Sequence, residues 1–526
     1  MPTSTRRDSL PAEALPGRRY LYFTSFCAGL ISLAVELAAA SLVRPFYGTT
    51  NLVWAALIGL ILLCLSAGNF LGGRWADRSP HPETLYTILC WAGLAVGAVP
   101  YATRPLLGRA AAAATAGLDL VLLGVAFMGV LLVLAVPVVL LGTVSPFVVR
   151  LSLRDVRTSG DVAGRIYALS TVGSVLGAFL PDLLLVPTIG TRMTFVLLGM
   201  LALAVGGVGL WRGRRRMPAE ALLAVMLGAL AWWGRGLPIK EAAGAIHEEE
   251  SAYNYIQVRE EAGCRLLLLN EGQAIHSLRC ADTLETRGPW DHFLLGPLFK
   301  PPPHPPERVQ SMAVVGLAAG TVVEQFMAAY GPLPVDGIEI DPAVVEVGRR
   351  FFALGAPTLR VLVGDGRRVL ARSEERYSLI VVDAYRLPYI PPHLTTVEFF
   401  RIVRDHLTTD GVVAINVGQT PGDPALVEAI AATLREVFPS VHAVEIDPGM
   451  NVVVYATVQQ TVATNLRANL PLAMGRPLLG EVASAAADRV YAPHAGGVAF
   501  TDDRASIEWE TNKVLFRYLL RSMVGD

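Results

Sequence analysis

The sequence predicts a multi-pass α-helical membrane domain followed by a soluble α/β domain with parallel strands and a small β subdomain at its start. Three observations carry that expectation. The 526-residue chain is 53% hydrophobic and only 17% charged, more apolar than a soluble protein of its length. Its long apolar segments, near 20–43, 52–73, 85–103, 117–149, 166–190 and 192–211, all lie in the first half, and most reach the ~20 residues needed to cross hydrocarbon. From about 245 onward, short apolar runs alternate with charged helical stretches, the texture of a soluble fold. The expected organisation is a tail at 1–19, a membrane domain at 20–240 with six to seven spans, a small β subdomain and connector at 245–305, and a nucleoside-binding domain at 306–526.

The first apolar stretch follows Arg6, Arg7, Arg18 and Arg19 and lacks a small-residue cleavage site, so it reads as a span that stays and not as a signal peptide. Arg74 and Arg78 follow the second span, Arg150, Arg154 and Arg157 the fourth, and Arg212, Arg214, Arg215 and Arg216 the sixth. All of these fall on the cytoplasmic side if the first six spans cross in turn. "ALLAVMLGALAWWG" at 221–234 is shorter, and fits an interfacial or re-entrant segment as well as a seventh span. It therefore decides which side the soluble half faces. Glu36 and Asp182 stand inside apolar segments, where an ionisable group is either functional or held neutral within the bundle, and Asp182 follows Pro181 at an expected helix break. "GNFLGG" (68–73) and "GSVLGA" (173–178) suit close helix contact.

A formal net charge of −1 argues against a nucleic-acid partner, which normally requires a basic face. The five cysteines include no CxxC pair, so no metal site is expected. Cys264 and Cys280 are read as reduced thiols for a cytosolic domain, a disulfide between them being the alternative.

In the soluble half, "YIQVREEAGCRLLLLNEGQAIHSL" (255–278) reads as strand, turn, strand, and "KPPPHPP" (300–306) as a connector. "SMAVVGLAAGTVVEQFMAAYG" (311–331) has the order strand, glycine turn, helix, with Gly316 and Gly320 allowing a ligand close to the backbone at a helix N-terminus. "VDGIEID" (335–341) places Glu339 at the spacing of an acid that takes ribose hydroxyls. "LRVLVGDGRRVL" ends a third strand at Asp365 and Gly366, "YSLIVVDAY" a fourth at Asp383, and "GVVAINVG" (411–418) supplies a fifth. Each acid alone reads as a helix cap or turn residue. Together, at the carboxyl ends of successive strands, they point to a Rossmann-like sheet that binds a nucleoside.

These stretches resemble, in order over about 250 to 440, the spermidine synthase family, the polyamine aminopropyltransferases, in the form fused to an N-terminal membrane region. "SAYNYIQV" and "LLLLNEG" resemble its opening strands and "VVGLAAGT" its glycine loop. "GIEIDP" resembles its ribose motif, "VGDGRRVL" its adenine motif, and "VVDAY" with "LTTVEFF" its catalytic loop. The resemblance implies a spermidine synthase/methyltransferase-type fold and a substrate that is S-adenosylmethionine or its decarboxylated form, with no metal. Glu339 would hold the ribose, Asp365 the adenine, and Asn254 stands where the family has glutamine. The amine side departs from the pattern. Ala319 replaces an aspartate of the glycine loop, Arg386 the second aspartate of the catalytic loop, and Pro289-Trp290-Asp291 the family's Tyr-x-Glu. A glutamate expected after the fifth strand is missing from "NVGQTPG".

Asp383 and Asp291 remain as candidate acids for orienting and deprotonating an amine. Arg386 is a candidate for gripping the carboxylate of S-adenosylmethionine itself, against the alternative of an arginine turned to solvent or paired nearby. The expected function is a membrane-integrated transferase that cleaves the propyl side of the sulfonium and releases methylthioadenosine. The alternatives are a lyase on the same donor, a methyltransferase, or a nucleoside-binding sensor or transport component. Implied partners are membrane lipid, the nucleoside sulfonium and a polyamine or other amine, with a homodimer left open. The expected location is a bacterial-type inner membrane with the soluble half in the cytoplasm, where the donor is made. "VAFTDDRASIEWE" (498–510) is assigned no role.

Overall fold

The computed structural model describes residues 17–48, 50–115, 120–153, 155–213, 218–272, 274–386, 388–446, 449–494 and 496–524. The readings at Arg6, Arg7, Arg154, Arg214, Arg215 and Arg216, and at the tail up to residue 16, lie outside the described residues. The chain divides into two compact units. One comprises Met1–Ala243 with Glu248–Tyr255 and Asn270–Gly272, the other Gly244–His247, Ile256–Leu269 and Gln273–Asp526.

The first unit is helical: α1 (Arg18–Tyr47), α2 (Asn51–Arg78), α3 (Pro82–Thr115), α4 (Leu120–Gly142), α5 (Val144–Ser152), α6 (Ser159–Leu180), α7 (Val186–Arg212) and α8 (Pro218–Trp233). Among the described residues, five helical runs are long and apolar enough to cross a membrane, the last being the 54 residues Ser159–Arg212. At 1.5 Å per residue that run extends about 80 Å, well over the ~30 Å of hydrocarbon, so it has the length for the two expected spans at 166–190 and 192–211. They are separated at Gly190, whose φ of 77° and ψ of 162° interrupt the helix. A π turn at Pro181–Leu185 carries Asp182, which accepts a hydrogen bond from Ser41 at 3.5 Å. The segment at 221–234 lies in a helix with 16 described residues, Pro218–Trp233, and residues 214–217 before it are outside the described residues.

Two features explain how these helices pack. In "GSVLGA", a Cβ on Gly173 would stand 2.1 Å from the Phe26 carbonyl and one on Gly177 2.2 Å from that of Leu30, so α6 lies backbone against backbone on α1 as small residues allow. Where Gly190 breaks the helix, the freed N-terminus is capped. Glu250 accepts from the Thr191 N–H at 2.7 Å and the Thr191 hydroxyl at 2.5 Å, placing a carboxylate at a positive helix end.

There follow strands β1 (Ala245–Glu250), β2 (Tyr255–Glu261), β3 (Cys264–Leu269) and β4 (Ile275–Cys280), which form a small sheet in that order; Glu248–Glu250 and Tyr255 group with the first unit and the rest with the second. Cys264 and Cys280 are cross-strand partners in the β3–β4 register and form a disulfide. This corrects the expectation of two reduced thiols: antiparallel pairing, not proximity in sequence, sets the two side chains against each other. There follow α9 (Pro289–Phe293), β5 (Met312–Val315), α10 (Thr321–Tyr330), β6 (Val335–Glu339), α11 (Pro342–Phe351), β7 (Leu359–Val363), α12 (Gly366–Leu370) and β8 (Tyr377–Val382). The chain continues through α13 (Val397–Asp405), β9 (Leu407–Gly418), α14 (Ala425–Arg435), β10 (Ser440–Glu445), β11 (Asn451–Thr457), α15 (Thr464–Ala473), α16 (Pro477–Ala486), β12 (Val490–Tyr491) and α17 (Ile507–Val524).

The large sheet has the order β12-β10-β11-β9-β8-β5-β6-β7. β9, β8, β5, β6 and β7 run parallel, as the five sequence-predicted strands should, and β11, β10 and β12 add an antiparallel edge. Both faces are covered, so the central strands are apolar throughout rather than alternating. Met312, Val314, Leu379 and Val381 face a core with Phe326, Leu466 and Leu479. Their neighbours Ala313, Val315, Ile380 and Val382 face the opposite core with Phe400, Val403 and Leu434.

Candidate active site

Register brings the ends of the parallel strands level. Val315 pairs with both Ile338 and Val382, and Val382 with Ile415, so Gly316, Glu339, Asp383 and Asn416 emerge along one edge. Open parallel sheets bind their ligands at this edge. Gly316 has φ of 94°, and a Cβ there would lie 2.5 Å from the Asp383 carbonyl. Only glycine lets these two strand ends approach so closely. Gly320, at φ 89°, is the left-handed residue before α10. Between them the Ala318 N–H donates to Glu339 at 2.9 Å, and the Asp341 N–H donates to the other oxygen at 3.1 Å. Burial raises the Glu339 pKa against those two backbone donors. The Ala319 N–H donates to Ser277 at 2.9 Å, tying the glycine loop to β4.

Beside this loop opens a cavity of about 590 Å³ whose lining includes Ala318, His276, Trp290, Asp383, Tyr385 and Asn416. Asp383 is held from two sides: the Trp290 indole N–H donates to Oδ2 at 3.1 Å and the Asn416 amide to Oδ1 at 3.0 Å. Asn416 in turn accepts from the Asn451 amide at 2.9 Å. The Tyr385 hydroxyl donates to the Asn416 carbonyl and accepts from the Gly418 N–H, which locks the loop after β8 onto the end of β9. Loss of hydration pushes the Asp383 pKa up to about 7, against the opposing pull of Asn416 and then Trp290. Burial pushes His276 down to about 4, so that imidazole is neutral at pH 7. A carboxyl raised in this way suits proton exchange near neutrality.

The other sequence-predicted residues are distributed as follows. Asp291 is almost fully buried and does not line the cavity. Its carboxylate accepts from Thr286 N–H and hydroxyl, Arg287 N–H and Gln325, so it clamps the loop before α9. Its neighbour Trp290 is the residue that reaches Asp383. Arg386 is exposed and bridges to Tyr389 through backbone hydrogen bonds at 2.8 and 3.0 Å, and it too is absent from the lining. Asp365 caps α12, accepting from the Arg368 N–H at 2.9 Å, with His393 at 2.8 Å on its second oxygen, and Gly366 opens that helix. The Gly364 N–H donates to the Glu339 carbonyl, keeping Asp365 on the same edge. Asn254 groups with the first unit, where it accepts from Asn270 at 3.1 Å.

Sequence reasoning passed over Asn416, Asn451 and the C-terminal helix. Asn416 had a signal, a buried amide in the otherwise apolar run "VVAINV", since such a group needs a partner. Thr511, Val514 and Leu515 of α17 line the cavity, and no local motif announces them.

Comparison with known proteins agrees with the resemblance read from the motifs. Residues 308–456 match the spermine/spermidine synthase domain. A Bifidobacterium longum protein described as "probable polyamine aminopropyl transferase" is 28% identical over 297 residues, 53% of this chain and 64% of that protein. A Vibrio vulnificus polyamine aminopropyltransferase is 31% identical over 202 residues, 37% of this chain and 64% of that protein. The chain thus spans under two thirds of the length of these two relatives. A polyamine aminopropyltransferase 1 of Ralstonia nicotianae is 23% identical over 459 residues, 82% of both chains, a match that extends into the helical unit.

Proposed function

We propose that the second unit is a transferase of the aminopropyltransferase kind, using S-adenosylmethionine or its decarboxylated form, and that the helices of the first unit hold it in a membrane. The observation that carries this reading is Asp383, a carboxylate at the end of β8 held by Trp290 and Asn416, set in a cavity beside a glycine loop whose Ala318 N–H holds Glu339. In the proposed reaction the neutral nitrogen of an acceptor amine attacks the propyl carbon bonded to the sulfonium. A C–N bond forms, the C–S bond breaks, and its electron pair goes to sulfur, leaving neutral methylthioadenosine. The surplus proton on nitrogen passes to Asp383, whose Trp290 and Asn416 partners orient it. Glu339 would receive the ribose hydroxyls and Asp365 the adenine amino group, while Gly316 and Gly320 leave the backbone accessible. Arg386, exposed and outside the lining, gives no support for a grip on a donor carboxylate.

A second reading, lyase cleavage in which the donor's own carboxylate is the nucleophile, is favoured by one feature: Asp383 is the only carboxylate among the described residues lining the cavity. Incubating the purified protein with each donor, with and without amine, and identifying products by mass spectrometry tests both. Amine-dependent methylthioadenosine is the expected result. Methylthioadenosine from S-adenosylmethionine alone selects the lyase, and S-adenosylhomocysteine would mean methyl transfer.

A further inference from the structure

Resting on the reading of Asp383 as the base of a transferase, we propose that Asn451 is a positioning residue: acting through Asn416, it fixes the direction of a hydrogen-bond chain that ends on Asp383 and favours the ionised carboxylate. Register builds the chain. In the β9–β11 ladder Asn451 pairs with Gly418 and Val453 with Asn416, so the two asparagines are diagonal neighbours on one face of the sheet. Gly418 has no side chain, which leaves Asn451 room to lean toward Asn416 and donate to its Oδ1 at 2.9 Å. Asn416 Nδ2 then donates to Asp383 Oδ1 at 3.0 Å. The Tyr385 hydroxyl anchors the backbone of the same stretch, donating to the Asn416 carbonyl at 3.2 Å and accepting from the Gly418 N–H at 2.7 Å.

The order of donors gives Asn451 its effect. A carboxylate only accepts, a carboxylic acid also donates, and an asparagine amide can serve either by turning over. Turned over, Asn416 would set its NH2 against that of Asn451, two donors face to face; only a concerted turn of both amides avoids this. Asn451 thereby penalises the arrangement that a protonated Asp383 would use, and opposes the burial that raises this carboxyl. The other titratable groups among the described residues of the cavity lining are Tyr385, on the loop of Asp383, and His276, on β4. Burial raises the first and lowers the second to about 4, so both are uncharged near neutrality.

The Trp290 indole N–H donates to the other carboxylate oxygen, Oδ2, at 3.1 Å, so its NMR signal reads the charge on Asp383 without any turnover. The test follows that signal against pH in the full-length, tryptophan-labelled protein in detergent, the signal being assigned by its loss in Trp290→Phe. Asn451→Leu removes the donor to Asn416 and should move the titration midpoint up by about half a pH unit. Asn451→Asp puts an acceptor there, draws the Asn416 NH2 away from Asp383 and adds a negative charge, and should move the midpoint up by about one unit, a tenfold change in proton affinity. The rise of kcat/KM with pH, measured as methylthioadenosine release from decarboxylated S-adenosylmethionine with putrescine, should shift by the same amounts and regain the native plateau at high pH. A midpoint unmoved in both variants, with turnover depressed equally at every pH, means that Asn451 only supports the fold and overturns the inference. An indole signal that does not titrate in the native protein overturns it as well. Absence of methylthioadenosine removes the transferase reading alone, because the indole titration still decides the direction of the chain. Asn451→Leu, which adds no charge, carries the test if Asn451→Asp fails to fold.

Discussion

Asp383 combines two demands that conflict at the level of a single residue. As a base it must be ionised, yet its surroundings raise its pKa to about 7. Because the folded value is above the ordinary 3.8 of the residue, the fold binds the proton more tightly than the unfolded chain does. The resulting stability is fully present below pH 3.8 and is lost as pH rises through about 7. Replacing Asp383 with Asn should therefore lower turnover by at least about a hundredfold, while its Tm falls less than that of the native protein between pH 5 and pH 8. Thermal melts at the two pH values check the second half. The catalytic pH profile has the matching sign: kcat/KM should rise toward a plateau above about pH 7. Trp290→Phe, which removes a donor to the carboxylate, should move that rise to higher pH. An unmoved profile would mean that Asp383 is not the group being titrated.

Among elements, the glycine loop and the C-terminal helix divide the site. Gly316→Ala meets both a left-handed backbone and the Asp383 carbonyl at 2.5 Å, so it should cost about 2 kcal/mol or more. The check is a lower Tm together with weakened donor binding by calorimetry. α17 closes the opposite side, and Arg367 pins the segment before it through a two-point contact with Asp502 at 2.7 Å on each oxygen, which Thr396 supports. Val514→Phe adds bulk on the face of α17 that lines the cavity. It should raise the acceptor KM about tenfold and leave donor affinity unchanged. Equal effects on both substrates would argue that α17 only stabilises the fold.

For the whole molecule, the prediction concerns the side of the membrane on which the second unit works. We propose the cytoplasmic side, since the donor of the proposed reaction is made there. A reporter fused after residue 240 should read cytoplasmic. The Cys264–Cys280 disulfide weighs against this side, since such bonds persist in oxidising compartments, and alkylation before and after adding reductant reads the state of the pair. A pair protected until reduction, together with an external reporter signal, would overturn this orientation.

The spans, the five parallel strands, the glycine turn and the acids at the strand ends were legible in the sequence because each is a local signal. A hydrophobic length, a turn requiring glycine and a carboxylate after a β-branched run depend on a few adjacent residues. The helix break was expected at Pro181, where the structure has a π turn, and the non-helical backbone falls instead at Gly190. Other features belonged to the tertiary structure alone. Trp290 and Asp383 meet across 93 positions, Cys264 and Cys280 pair only once β3 and β4 align, and α17 reaches the cavity from the end of the chain. The two candidate acids show why. Asp291 and Asp383 carry the same carboxyl group, but loop and side-chain donors occupy the first while the second faces a cavity with two donors and little water. The residue type sets what chemistry is available, and only packing sets the solvation and partners that make one carboxylate a clamp and the other a base.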